Sequence, residues 1–138
     1  MSMYANVADL VEQFGETEIV ELTDRERTGE IDTAVAERAL EDASAEIDGY
    51  LAARYRLPIS EPLRLLTLLC TDIARYRLQR GVATDQARQR YEDAVAMLKR
   101  IQSGQMNMPL ATRPPAVAEP MVMPSAGRTF DDDALQGW

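Results

Sequence analysis

Acids and arginines at helical spacing are the residues of this chain with the widest chemical range. Asp42, Glu46, Asp48, Asp72 and Glu92 supply carboxylates, and Arg54 and Arg75 lie among them. Two carboxylates can divide acid and base roles when their surroundings separate their proton affinities. Here no neighbouring residue supplies a nucleophile, and Glu41, Asp42 and Glu46 read as one solvated helix face. The chain has no histidine, which removes His-based metal sites, triads and imidazole acid–base catalysis. Its single cysteine, Cys70, excludes cysteine-rich zinc sites and an internal disulfide. Cys70 falls in the run LRLLTLLC and reads as a small buried thiol. The glycines are scattered, so no phosphate-cradling loop is present. Asp131–Asp133 point in alternating directions on an extended chain and make a poor cation cage. No catalytic, cofactor-binding or metal-ligating residue is assigned, and the chain is expected to be non-enzymatic.

Four charges have a different interest. Asp48 follows the apolar stripe position Ile47, and Asp72 precedes Ile73, so both sit at the edge of a core face. Asp72 and Arg75 are three apart and can meet on one helix face. If the two long helices pack antiparallel, Asp48 or Arg54 can join them in a structural charge network. The alternative is a set of ordinary surface pairs, each worth less than about 1 kcal/mol.

The elements that would position these groups are all helical. Asn6 is a good N-cap for a helix over 7–14, with Leu10, Val11 and Phe14 on its apolar face and Gly15 as its stop. Residues 16–22 read as a further turn or short helix, and Thr28–Gly29–Glu30 as a loop. Asp32 caps a long helix from Thr33 to about Tyr55, whose apolar positions Val35, Ala39, Leu40, Ala43, Ile47, Tyr50, Leu51 and Tyr55 keep a three-and-four spacing. Leu57–Pro58 ends it. Pro62 suits the first turn of the next helix, which runs to Leu78 with an apolar face broad enough to touch neighbours on several sides. Thr84 caps a last helix over 85–103, and Gly104 stops it. Short links favour antiparallel neighbours. The expected fold is all-α: a small antiparallel bundle of three main helices, with one or two short N-terminal helices.

Residues 1–104 are read as this helical domain and 105–138 as an extended C-terminal arm. The arm holds five of the seven prolines and four of the seven methionines. Proline there favours extended or polyproline-like geometry. Met121, Met123, Phe130, Leu135 and Trp138 are costly to leave in water and are of the types favoured in interface cores. They are the candidate anchors of an arm that binds a neighbour.

The chain has 138 residues and a net charge of −8, so non-specific attraction to phosphate backbones is not expected. The N-terminus shows no signal-peptide pattern, and no apolar run approaches the ~20 residues of a membrane span. A helix-turn-helix is the main competing class. Arg75, Arg77, Arg80, Arg88 and Arg90 flank the link Arg80–Thr84, although Asp85, Glu92 and Asp93 dilute their field. That alternative would make the chain a helical DNA-binding or regulatory protein.

The ordered series Tyr4–Ala5, Asp9–Leu10, Phe14–Gly15–Glu16, Leu22–Thr23–Asp24–Arg25, Gly29–Glu30–Ile31–Asp32, Asp42–Ala43–Ser44, Ile47–Asp48–Gly49–Tyr50–Leu51, Arg54–Tyr55, Leu57–Pro58 and Cys70–Thr71–Asp72–Ile73–Ala74–Arg75–Tyr76 resembles a family of Mu-like phages and prophages. That family is described as of unknown function or as a head–tail joining, head-completion protein. The match spans about Tyr4 to Gly104 and is looser in the arm. The resemblance implies a connector adaptor, assembled in the host cytoplasm and placed in the virion neck. It would act without cofactors, as a ring of about twelve copies closed by a heterologous interface. The implied partners are further copies of itself, the portal protein, and a tail-proximal neck or tail-terminator protein. DNA would pass through the ring without sequence-specific binding.

Overall fold

The computed structural model describes residues 3–59 and 63–112. Five helices follow in order: α1 (Val7–Phe14), α2 (Glu16–Thr23), α3 (Thr33–Leu51), α4 (Arg64–Leu78) and α5 (Asp85–Ser103). The described residues contain no strand, only an isolated antiparallel bridge between Tyr55 and Thr112. The fold is all-α.

Local chemistry accounts for most of the helix ends. Asn6 forms a capping box with Asp9: its side chain accepts from the Asp9 N–H, and its own N–H donates to the Asp9 carboxylate, both at 2.9 Å. Gly15 sits at φ 90°, a region that disfavours any residue with a Cβ, and there the chain breaks between α1 and α2. Asp32 accepts from the Ala34 and Val35 N–H groups to start α3, and Thr84 accepts from Ala87 N–H to start α5. Gly104, left-handed at φ 91°, closes α5.

Cross-helix contacts fix the directions. Along α4 and α5 the partners run oppositely, Arg75 to Gln86 and Asp72 to Arg90, so these helices are antiparallel. The start of α3 lies beside the end of α4, where Asp32 to Asp42 and Tyr76 to Gln79 share one groove, so these too are antiparallel. Glu46 meets Tyr91 and Arg54 meets Ile101, so α3 and α5 run parallel. The core fills the space between them with Leu40, Ile47 and Leu51 of α3, Leu66, Leu69 and Ile73 of α4, and Leu98 and Ile101 of α5. The α1–α2 hairpin adds Leu10 and Ile19, both fully buried. A buried leucine of this kind contributes roughly 1.5–3 kcal/mol of transfer free energy.

Three details differ from the sequence reading. The long helix stops at Leu51, not near Tyr55. Arg54 and Tyr55 N–H both turn back to Leu51 O, after which Arg56 N–H donates to Ala111 O, so the chain leaves the helix to pair with the segment beyond α5. The chain also stays on the domain past Gly104. Met108 is buried, Met106 and Leu110 pack on the core, and the Tyr55 hydroxyl accepts from Met108 N–H at 2.8 Å. Last, the helical unit hides its own apolar surface: among the described residues Val82, 93% exposed, is the exposed large hydrophobic. The hairpin and the 105–112 strap cover the faces that three helices alone would leave open.

Candidate functional site

The four charges predicted to form one network occupy three separate places. Asp48 accepts a short hydrogen bond from the Tyr4 hydroxyl. Tyr4 is itself pinned in the core, its N–H donating to Ser44 Oγ at 3.1 Å and its carbonyl accepting from Thr67 Oγ1 at 2.9 Å. Burial, then the Asp48 hydrogen bond and charge, raises the Tyr4 hydroxyl far above the ordinary tyrosine range. This locks the N-terminal segment onto α3 and α4.

Arg54 works at the end of α5. Its Nη1 donates to Ile101 O at 2.8 Å and Met106 O at 3.3 Å, and its Nη2 to Asn107 Oδ1 at 2.6 Å. A guanidinium is well suited to this place, because a helix C-terminus presents unpaired carbonyls and the negative end of the macrodipole.

Asp72 and Arg75 lie at the junction of α1, α2, α4 and α5, but their ion-pair partners are not each other. Arg75 is 6% exposed. Its Nε donates to Glu18 Oε2 at 2.6 Å, its Nη2 to Gln86 Oε1 at 3.1 Å, and its guanidinium lies 4.4 Å from the Phe14 ring centroid. Arg90 stands 5.4 Å from the same ring and 2.8 Å from Asp72 Oδ1. That Arg90–Asp72 contact is ionic and not an aligned hydrogen bond, since Asp72 Oδ1 and Arg75 Nη1 both remain buried without one. Burial raises the Asp72 carboxyl above its ordinary value against the lowering pull of Arg90 and Arg75. A folded-state value raised in this way opposes folding, and the cost grows as pH rises from the ordinary carboxylate range through the folded value.

Glu46, read as part of a solvated face, joins three helices. It accepts from Arg77 Nη2 at 2.8 Å and from the Tyr91 hydroxyl at 2.9 Å. Burial and the Glu46 bond push the Tyr91 hydroxyl up to about 12. Tyr91 also stacks on Tyr76, with centroids 4.2 Å apart and planes 11° from parallel. The sequence reading passed over Tyr4, Phe14, Glu18 and Arg90 as site residues. Phe14 was marked by its place on the α1 apolar face and Arg90 only as part of the arginine cluster, whereas Glu18 and Tyr4 acquire roles only through tertiary contact.

The cations of the proposed DNA-reading cluster are largely neutralised. Arg75 is buried, Arg77 pairs with Glu46, Arg90 with Asp72, and Arg88 with Asp85 and Glu92 at 3.1 and 3.9 Å. Arg80 alone in this set makes no ion pair among the described residues. A phosphate-tracking surface needs several free cations together, and this face does not offer them.

Cys70 is fully buried, 3.5 Å from Ser44 Oγ and directed toward Leu40 O. Desolvation raises the thiol to about 11, only partly offset by the Ser44 hydrogen bond. At pH 8 the folded protein should therefore resist a thiol-exchange reagent such as Ellman's, and react in urea at the rate of an ordinary thiol. Comparable rates in both states would show that the α3–α4 seam opens freely.

Among the described residues no group of histidine, cysteine, aspartate and glutamate is arranged to hold a metal, and no helix is long and apolar enough to cross a membrane. A groove of about 780 Å³ lies between the first half of α3, the end of α4 and the α4–α5 link. Val35, Ala39, Leu78 and Tyr76 are among its apolar lining, and Arg25, Arg38 and Arg77 among its cations. The predicted arm anchors Met121, Met123, Phe130, Leu135 and Trp138 lie outside the described residues.

The sequence that folds into this five-helix domain belongs to a phage protein family. Residues 4–124 match the family described as "Bacteriophage Mu, Gp36", and the chain belongs to it. The match runs beyond α5 into the proline-rich part of the arm. Among its relatives are the "Mu-like prophage FluMu protein gp36" of Haemophilus influenzae, 34% identical over 100% of this chain and 99% of that protein. "Gene product J" of Escherichia phage Mu is 40% identical over 84% of this chain and 83% of its own length.

Proposed function

We propose that this protein is a non-enzymatic structural component of the phage virion, a head–tail connector adaptor. It assembles as a closed ring of about twelve copies on the portal and extends the DNA channel toward the tail. One observation carries the reading: the described helical unit hides its own apolar side chains, and the sequence that follows it holds several more large apolar residues. Within the described domain Val82 is the exposed large hydrophobic. Residues 113–138, by contrast, hold Met121, Met123, Phe130, Leu135 and Trp138 with few cations. Such an arm gains most by covering these side chains on a partner. Repeating it around a ring multiplies weak contacts through effective concentration.

Membership of the phage Mu Gp36 family supports the phage structural part of the reading. The acidic balance, net charge −8, suits a wall past which DNA slides without sticking. Portal and tail-proximal neck proteins are the proposed partners. The test is to purify particles from cells carrying an epitope-tagged copy and image the labelled neck. Label at the portal-to-tail junction is expected. Label absent from particles and recovered in the soluble lysate would overturn the proposal.

A further inference from the structure

The groove between α3 and the α4–α5 link has the charge and shape to receive a particular segment. Its apolar base is formed by Val35, Ala39, Leu78 and the Tyr76 ring, the last stacked on Tyr91. Its cations are unequally engaged. The Arg25 side chain makes no hydrogen bond or ion pair among the described residues, and only its backbone N–H is engaged, with Thr23 O. Arg38 faces Asp42 at 3.9 Å with side chains 78% and 50% exposed, a contact that a better acid readily displaces. Arg77 is held by Glu46. Of the acids, Asp32 is occupied with the α3 N-terminus. The groove therefore offers two available guanidiniums beside an aromatic and aliphatic floor.

The chain carries one segment of matching chemistry. Phe130 to Trp138 has three consecutive aspartates, no cation, and the large apolar residues Phe130, Leu135 and Trp138 on either side of them. We infer that this segment of one copy docks in the α3–α4 groove of a second copy. The inference rests on the arm-mediated assembly proposed above and names where the arm binds.

The exit point of the chain favours a second copy over its own groove. Thr112 is bridged to Tyr55, beyond the C-terminal end of α3, whereas the groove lies along the first half of that helix. The separation from Leu51, the last residue of α3, back to Ala39 is about 18 Å at helical rise. Residues 113–129 contain Pro114, Pro115, Pro120 and Pro124, and such a spacer favours extended geometry of ~3.1 Å per residue, about 50 Å in all. A spacer of that reach, well over twice the path to its own groove, is long enough to span to a neighbour's. Arms passed in one direction around a cycle form a heterologous contact that closes when the rotation closes.

The test coexpresses two full-length variants, Ala34→Cys on the exposed groove wall and Gln136→Cys in the arm. Native Cys70 is buried and stays out of the chemistry. Mild oxidation of the purified chain and of particles containing both variants should give a disulfide joining the two different chains. Adding Arg25→Glu and Arg38→Glu, both exposed, should reduce cross-linked product about tenfold while the circular dichroism stays unchanged, since surface charge reversals leave the core intact. No cross-chain product in either sample would overturn the inference, as would a cross-link confined to a single chain when both cysteines are placed in one copy. Neck labelling retained without this cross-link would reject the groove and leave the adaptor reading standing.

Discussion

Replacing Arg75 with leucine is expected to destabilise the domain by about 2 kcal/mol, because truncating one partner of a buried charge pair leaves the other uncompensated. Arg75 ties α4 to Glu18 on α2 and to Gln86 on α5 while its guanidinium covers the Phe14 ring of α1. The effect falls short of the 3–5 kcal/mol typical of a fully buried pair. Glu18 retains 32% of its side-chain exposure and can be rehydrated, and Nη1 already lacks a hydrogen bond that leucine would not need. The corresponding fall in Tm is roughly 8 °C for a domain of this size. Hydrogen exchange should show the loss first in α1 and α2, which the residue anchors, and later in α3–α5. Arg88→Leu is the matched control. Arg88 is half exposed beside Asp85 and Glu92 and should cost less than about 0.5 kcal/mol. Equal melting of wild type and Arg75→Leu would mean that the junction is decorative.

The second large effect concerns the arm. A chain truncated after Thr112 should keep its helical circular dichroism and its Tm within a few degrees, and should fail to join heads to tails. The position of the cut matters. Ending at Gly104 would remove buried Met108, the Tyr55–Met108 hydrogen bond and the carbonyl of Met106 that Arg54 binds. Loss of function after that cut would confuse unfolding with loss of contact. Ending after Thr112 keeps the whole strap. Full complementation of an arm-defective phage by the shorter chain would remove the arm from the account.

How much of this was readable from residues alone depended on the range of the interaction. Asn6, Gly15, Asp32, Thr84 and Gly104 act within one turn of themselves, and each marks a boundary where the structure has it. The apolar stripes of α3, α4 and α5 likewise identify Leu40, Ile47, Ile73, Leu98 and Ile101 as core. Partner choice is different, because it depends on the axial offset between helices, which periodicity does not fix. Asp72 and Arg75 are near enough in sequence to pair, yet α5 presents Arg90 to the first and Gln86 to the second. Glu46 looks solvated along its own helix and becomes a three-helix junction only when Arg77 and Tyr91 arrive. The early end of α3 has the same origin: Tyr55 and Arg56 find partners beyond Gly104, more than forty residues on in sequence. Composition marks residues after 104 as unlike the rest, and it cannot reveal that the first few of them complete the core.

The reading of the molecule as an assembly part meets its most direct test in the mass and symmetry of the complex formed with portal-bearing heads. On the proposed function, imaging the neck at a resolution that separates subunits should find this chain as a closed ring of about twelve copies, with each arm reaching beyond its own domain. A monomer that leaves portal vertices bare, its residues 113–138 folded onto its own helices, would contradict the account.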